Sequence, residues 1–311
     1  MNSKRIALLF SGQGAQTVGM GMDLSAHFPQ AAELFVKADA ILGYPLSKLA
    51  WEGPETELTQ TRYCQPALYV HGLACLAALR SLAGPFSVHA VAGLSLGEFT
   101  AHAAAGTFDF ETGLKLVSQR GIFMQEACEA TQGGMAAMIG GEEQAVLDLA
   151  RDTDVDVANF NSPGQIVLSG KAGHIAEAVA SAKEKGIRMA KALNVAGAYH
   201  SRLMQPAAAK LGAVLAQAEI HAPRCPVFCN VDARSVTTPE EIRLTLERQV
   251  TGSVRWTHTM ERLVDEELCD LFLELGPGGV LSGLLSRTRK GVQCMQVYDA
   301  ETAAAAAAAL Q

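Results

Sequence analysis

No uninterrupted apolar run in this sequence approaches the roughly 18–20 residues that a helical membrane span requires. The apolar stretch near the N-terminus, Ile6 to Phe10, is too short for the core of a signal peptide. Export is therefore not expected, and a cytoplasmic location is the default. Basic charge is in short supply. Lys and Arg number 25 against 32 Asp and Glu, a net charge of −7, which argues against broad binding to nucleic acid or to an anionic membrane. The cysteines do not pair off: there are 7, scattered along the chain, as suits reduced thiols rather than a disulfide framework. Cys225 and Cys229 have no second Cys or His pair at zinc-site spacing and read as structural. No repeat of solenoid type is visible.

What is present suits a globule with ample core. At 311 residues, 49% hydrophobic and 18% charged, the chain can form one large α/β domain, alone or carrying a smaller one. Arg5–Phe10 and Val88–Ala92 read as buried strands, each stopping at glycine. Ala31–Ala40, Pro66–Leu79, Leu96–Ala104 and Thr112–Glu129 carry helical spacing. Strands alternating with helices predict a mostly parallel sheet. From about Gly134 to Leu193 the rhythm changes. Strands at Met135–Ile139, Val155–Phe160, Ile166–Ser169 and Arg188–Leu193 alternate with helices at Glu142–Arg151 and Ala172–Lys185, the βαββαβ order of a ferredoxin-like unit. Beyond it, Leu203–Glu219 and Pro239–Gln249 read as helices, Val227–Val231 and Leu271–Leu275 as strands. The expected architecture is an α/β-hydrolase-like core with a mostly parallel sheet, formed by residues 1–131 and 197–311, with residues 132–196 as an inserted ferredoxin-like subdomain.

The sharpest local signal is Gly93-Leu94-Ser95-Leu96-Gly97, which matches G-x-S-x-G where a strand gives way to a helix. Such a turn leaves no room beside the serine, projects its hydroxyl above the sheet, and aims the next backbone N–H at a developing oxyanion. The rival reading of the five residues is a glycine-rich helix start with an N-capping serine; the strand-to-helix context favours the first. A serine nucleophile needs a base, and there are 8 histidines. His71 and His102 fall in helical patterns that packing explains, and His27, His89, His174, His221 and His258 have no distinctive setting. His200 follows the turn-like Ala196-Gly197-Ala198 at the junction of insert and large domain, and junctions line clefts.

Two further features each have two readings. Gly12-Gln13-Gly14 after the first strand is either a dinucleotide phosphate loop, for which the third glycine is missing, or a turn that brings a second backbone N–H to the oxyanion. Arg120, placed at the end of a helix just before Gly121, is either an ordinary arginine favoured by the helix dipole or a bidentate clamp for a carboxylate.

Taken in order, Gly12-Gln13-Gly14-Ala15-Gln16, Gln65-Pro66-Ala67, Gly93-Leu94-Ser95-Leu96-Gly97-Glu98, Gln119-Arg120-Gly121, Tyr199-His200-Ser201, Val254-Arg255-Trp256 and Gly276-Pro277-Gly278 resemble the malonyl-CoA:acyl carrier protein transacylases, and with them the acyltransferase domains of polyketide synthases, over nearly the whole chain. The resemblance implies Ser95 as nucleophile and His200 as its base, with the backbone carbonyl of Gln249 orienting the imidazole. It implies an oxyanion hole from the N–H groups of Gln13 and Leu96, and Arg120 gripping the free carboxylate of a malonyl group. Tyr199 would shape the acyl pocket where malonyl-selective members usually carry Phe. Leu94 stands where the family often has His, Ser11 replaces a common Pro and Ala15 a common Ser, and Thr251-Gly252-Ser253 also departs from the pattern. The implied partners are malonyl-CoA and acyl carrier protein, handled by a monomer without cofactor or metal. Fatty-acid synthesis is the implied setting, a polyketide pathway the alternative. Arg188 and Lys191, or Arg287, Arg289 and Lys290, are candidates for a carrier-protein dock. A serine hydrolase or thioesterase would share the elbow, and a nucleotide-binding oxidoreductase would use the first glycine turn.

Overall fold

The computed structural model describes residues 4–310. Along the chain the strands are β1 (Ile6–Phe10), β2 (Ala90–Gly93), β3 (Gly133–Ile139), β4 (Asp156–Ser162), β5 (Gln165–Lys171), β6 (Met189–Ala192), β7 (Val227–Phe228), β8 (Ser235–Val236), β9 (Leu271–Leu275) and β10 (Gln293–Val297). They form two sheets. The first is 6-stranded, in the order β10-β9-β1-β2-β7-β8, and parallel from β10 to β7 with β8 antiparallel at one edge. The run Ile6-Ala7-Leu8-Leu9-Phe10 is buried throughout, as a central parallel strand covered on both faces requires. Its side chains alternate between two cores. Ile6, Leu8 and Phe10 pack with Leu68 and Leu76 of the helix Thr61–Ala83, whereas Ala7 and Leu9 meet Trp256, Met260 and Leu285. The chain proceeds from β1 to β2 on one side and later returns as β9 on the other, so a crevice opens beyond the carboxyl ends of these strands.

The second sheet has 4 antiparallel strands in the order β4-β5-β3-β6. On one face Ala136, Met138, Ile166 and Leu168 pack against the helices Glu143–Asp152 and Ala172–Ser181, and on the other Met135, Ala137 and Val167 turn toward the larger core. The chain passes into and out of this region through one narrow place, since a Cβ on Gly133 would lie 2.7 Å from the backbone nitrogen of Ala198. A third attachment is an isolated parallel bridge between Asn159 and Val254, where Phe160 N–H donates to Val254 O at 2.9 Å and Val254 N–H to Ala158 O at 2.8 Å.

Some expectations are corrected. The helix Thr61–Ala83 is, by length and composition, apolar enough to cross a bilayer although its apolar run is interrupted; most of it is buried in the core. Its first turn starts five residues before Pro66, and Arg62 and Gln65 break the apolar run without breaking the helix. Where a helix was expected from Leu203, a 3₁₀ turn at Arg202–Met204 precedes the α-helix Gln205–Gln217. β7 stops short of Val231 because Cys229 N–H turns to Arg234 O and Asn230 N–H turns to the Glu98 carboxylate. β10 and the helix Trp256–Asp265 went unread in the sequence.

Glu274, wholly buried in the middle of β9, shows how polar groups serve the fold. Its carboxylate accepts from Leu281 N–H at 2.9 Å and Ser282 N–H at 2.8 Å, which supplies acceptors to the first turn of the helix Val280–Thr288. Glu274→Ala should lower stability by about 1–3 kcal/mol because those donors lose their acceptor. The expected readout is a lower guanidinium midpoint at unchanged slope; an unmoved midpoint would show that the helix start is satisfied in another way.

Candidate active site

The bend between β2 and the helix Leu96–Ala104 is set by close contacts. A Cβ on Gly93 would lie 1.9 Å from the Gly97 carbonyl, and one on Gly97 would lie 2.1 Å from Phe10 O. With no space at either flank, Ser95 sits at φ 54°, ψ −106°, a conformation rare for any residue with a side chain. Asn230 clamps the bend: its Oδ1 accepts from Ser95 N–H at 2.7 Å and its Nδ2 donates to Gly93 O at 2.8 Å. The Ser95 side chain makes no capping bond, so the N-cap reading does not hold.

The hydroxyl instead meets an imidazole. Ser95 Oγ lies 2.7 Å from His200 Nε2, and His200 Nδ1 lies 2.8 Å from the backbone carbonyl of Gln249. A carbonyl only accepts, so Nδ1 carries the proton and Nε2 is left to receive one from the serine. His200 is also held at positive φ, 55°, and is 4% exposed. Burial, then the nearby Arg120 guanidinium, pulls its pKa down to about 4, so the ring is neutral around pH 7.

Arg120 is not at a helix end. It lies midway along the helix Phe110–Glu129, where the helix dipole offers nothing, and Gly121 is no stop signal. A Cβ on Gly121 would lie 2.8 Å from Thr61 O, so that glycine exists to let two helices touch. The guanidinium is 1% exposed. Nη1 donates to Gln65 Oε1 at 2.7 Å, Nη2 to Gln249 Oε1 at 2.8 Å and to Ser95 Oγ at 3.0 Å, and the Phe99 ring centroid is 5.4 Å from Cζ. Burial lowers its pKa to about 10, which leaves it cationic.

Around this centre the first glycine turn packs on the elbow, for a Cβ on Gly12 would lie 2.4 Å from Leu94 O. The N–H groups of Gln13 and Leu96 meet no acceptor among the described residues. The Tyr199 hydroxyl lies 2.6 Å from Thr61 Oγ1 and 3.4 Å from Gln13 Nε2. A cleft of about 360 Å³ opens above, lined by Gln13, Ser95, Tyr199 and His200 on one side and by Met135, Asn159 and Val167 of the second sheet on the other. Larger surface grooves of about 660 and 600 Å³ contain neither the serine nor the imidazole. The structure therefore brings together all seven residues expected at the site. Sequence reasoning missed Asn230, which no motif marked, and Glu98, which stood unnoticed as the last residue of the elbow motif.

Residues 7–307 match the acyl transferase domain family. The chain is 38% identical over 300 residues to the malonyl CoA-acyl carrier protein transacylase of Haemophilus influenzae, covering 95% of this chain and 96% of that one. The solved structure of the malonyl CoA-acyl carrier protein transacylase from Coxiella burnetii superposes with a TM-score of 0.95 at 35% identity, over 99% of this chain and 98% of that one. A malonyl-transacylase solved in complex with its type II PKS acyl-carrier protein superposes with a TM-score of 0.92 at 37% identity, over 98% and 99% of the two chains.

The imidazole accepts a proton from serine only while neutral, so the acid limb of kcat/KM for acylation should lie near pH 4 rather than near 6.5. A pH–rate profile for inactivation by a sulfonyl fluoride tests this, and a limb centred near 6.5 would show an imidazole open to water.

Proposed function

Because the chain belongs to the acyl transferase domain family, we propose that it moves a malonyl group from malonyl-CoA to the phosphopantetheine thiol of an acyl carrier protein through an ester on Ser95. It is an acyltransferase. Ser95 Oγ gives its proton to His200 Nε2 and attacks the thioester carbon. The resulting oxyanion lies against the N–H groups of Gln13 and Leu96. Collapse breaks the carbon–sulfur bond, and the CoA sulfur leaves with the proton from His200. The carrier thiol then gives its proton to His200, its sulfur attacks the ester, and Ser95 recovers its hydrogen. The first half exchanges an acyl–sulfur bond for an acyl–oxygen bond, and the second half reverses the exchange.

The observation that carries this reading is a buried cation at the seryl oxygen: Arg120 Nη2 is 3.0 Å from Ser95 Oγ. In a malonyl ester a single methylene separates the ester carbonyl carbon from the free carboxylate, which lies within reach of that guanidinium. Arg120 Nε is buried without a partner among the described residues and supplies the second prong of a fork whose first prong rests on the serine. A serine hydrolase for uncharged acyl groups has no use for such a cation. Tyr199, hydrogen-bonded to Thr61, forms a wall of the acyl pocket.

The same reading takes residues 132–196 as an inserted ferredoxin-like subdomain, supported by the order β4-β5-β3-β6 with its two helices. Residues 1–131 and 197–311 are the α/β-hydrolase-like catalytic domain, supported by the parallel sheet and the elbow. The protein works as a cytoplasmic monomer, away from membranes and nucleic acid. Its carrier serves fatty-acid synthesis, though a polyketide carrier presents the same thiol. For the carrier dock, Arg289 is already paired with Asp265 and Glu261, whereas Arg287 holds Gln165 on the cleft rim at 2.5 Å and is the better candidate.

Ser95→Ala should abolish covalent labelling by radioactive malonyl-CoA; label persisting at the same stoichiometry would remove Ser95 as the nucleophile. Arg120→Ala should cut malonyl transfer by about a hundredfold, the loss expected when one partner of a buried charge pair is removed, while sparing acetyl transfer. Equal losses for both acyl groups would remove the carboxylate-gripping role.

A further inference from the structure

The transfer steps use only the backbone carbonyl of Gln249, yet its side-chain amide makes three hydrogen bonds in the site. The residue is fully buried. Its Oε1 accepts from Arg120 Nη2 at 2.8 Å, and its Nε2 donates to Ser95 O at 2.8 Å and to Glu98 Oε2 at 2.7 Å. An amide has an accepting and a donating end, so only one of its two orientations suits Arg120, which can only donate. Glu98 helps to enforce that orientation. Its Oε2 accepts from Gln249 Nε2 and also from Asn230 N–H at 2.9 Å, the same Asn230 whose side chain clamps the elbow.

Glu98 is an expensive residue to keep there. It is wholly buried, and its other oxygen, Oε1, has no partner among the described residues. Burial pushes its pKa up to about 7, opposed by the hydrogen bonds from Gln249 and Asn230 and by the Arg120 charge, with Asp232 adding to the rise. An apolar side chain would fill the same helix position without any of this desolvation. Buried perturbed carboxylates of this kind concentrate at functional sites.

We propose that Glu98 is a positioning residue for acyl selectivity: through the Gln249 amide it holds the Arg120 guanidinium on the seryl oxygen, so that the preference for a carboxylated acyl group depends on a carboxylate that never touches the substrate. This rests on the malonyl reading above. The relay runs Glu98, Gln249, Arg120, with Gln65 steadying the far side of the guanidinium. Its loss lets Arg120 swing from the ester and weakens malonyl loading more than the loading of an uncharged acyl group.

The experiment compares serine loading from malonyl-CoA and acetyl-CoA by the full chain and by Glu98→Gln, Glu98→Leu, Gln249→Met and the Glu98→Leu/Gln249→Met double variant, with circular dichroism to establish that each is folded. Gln249→Met keeps the backbone carbonyl that orients His200 and removes only the amide. Glu98→Leu and Gln249→Met should each narrow the malonyl-to-acetyl ratio of kcat/KM by roughly tenfold to a hundredfold, the scale of a misplacement of about 1 Å. The double variant should lose no more than the worse single variant, because both cut one relay. Glu98→Gln, whose amide oxygen accepts the same two hydrogen bonds, should keep the wild-type ratio. An unchanged ratio in Glu98→Leu, or in Gln249→Met should the former not fold, would overturn the inference. Equal losses on both substrates, or additive losses in the double variant, would do the same. Equal loading of both acyl groups by the unaltered chain would instead sink the malonyl reading itself, and this inference with it.

Discussion

The guanidinium of Arg120 is a cation kept out of water, and the rest of the site is arranged around keeping it there. An unpaired charge in such a place costs several kcal/mol even after relaxation. Here the offset is divided among Gln65, Gln249, the Phe99 ring and the Glu98 carboxylate, none of which alone neutralises it. Two effects follow from one placement. The same positive charge that faces the serine also helps to hold His200 neutral and therefore ready to receive a proton. The proposed grip on a substrate carboxylate and a share of the lowering of the imidazole pKa, most of which comes from burial, thus meet in a single side chain.

The second constraint is steric. The chain reaches the bend at Ser95 only because Gly93, Gly97 and Gly12 allow backbone to touch backbone, and it stays there because Asn230 bonds both sides of the turn. Backbone strain at two residues, Ser95 and His200, lies within one hydrogen bond. Such conformations persist only where the surroundings over-determine them. The burial of Glu98, Gln249 and Asn230 beneath the bend provides that over-determination.

Much of this was legible in the sequence. The apolar run before Gly12, the glycines around Ser95 and the βαββαβ rhythm each state a local geometry that no tertiary contact overrode. The ordered motifs pointed to the serine, the imidazole and the arginine that the structure brings together. What failed to show was whatever depends on partners distant in sequence. Gly121 looks like a helix stop, and only the proximity of Thr61 explains it as a packing contact. Asn230 lies 135 residues from the serine N–H it receives, two residues past the end of a strand that stops where the Asn230 backbone N–H turns to Glu98. Gln293–Val297 runs from exposed through half-buried to buried at a sheet edge without alternation, a pattern too weak to separate from loop. Glu98 reads as an ordinary helical glutamate until its burial is known.

The bridge between Asn159 and Val254 has a mechanical consequence. With two chain crossings beside Gly133 and Ala198 and this third tether, the small sheet is pinned at separate points to the large body. Val254 is close in sequence to Gln249, whose carbonyl steadies the imidazole, so tilting the sheet would pull on the proton acceptor. The mouth over the serine is therefore braced like a porch and not hung like a door. In the transfer proposed above, successive thiols would reach the serine through that braced aperture on a slender arm of their own.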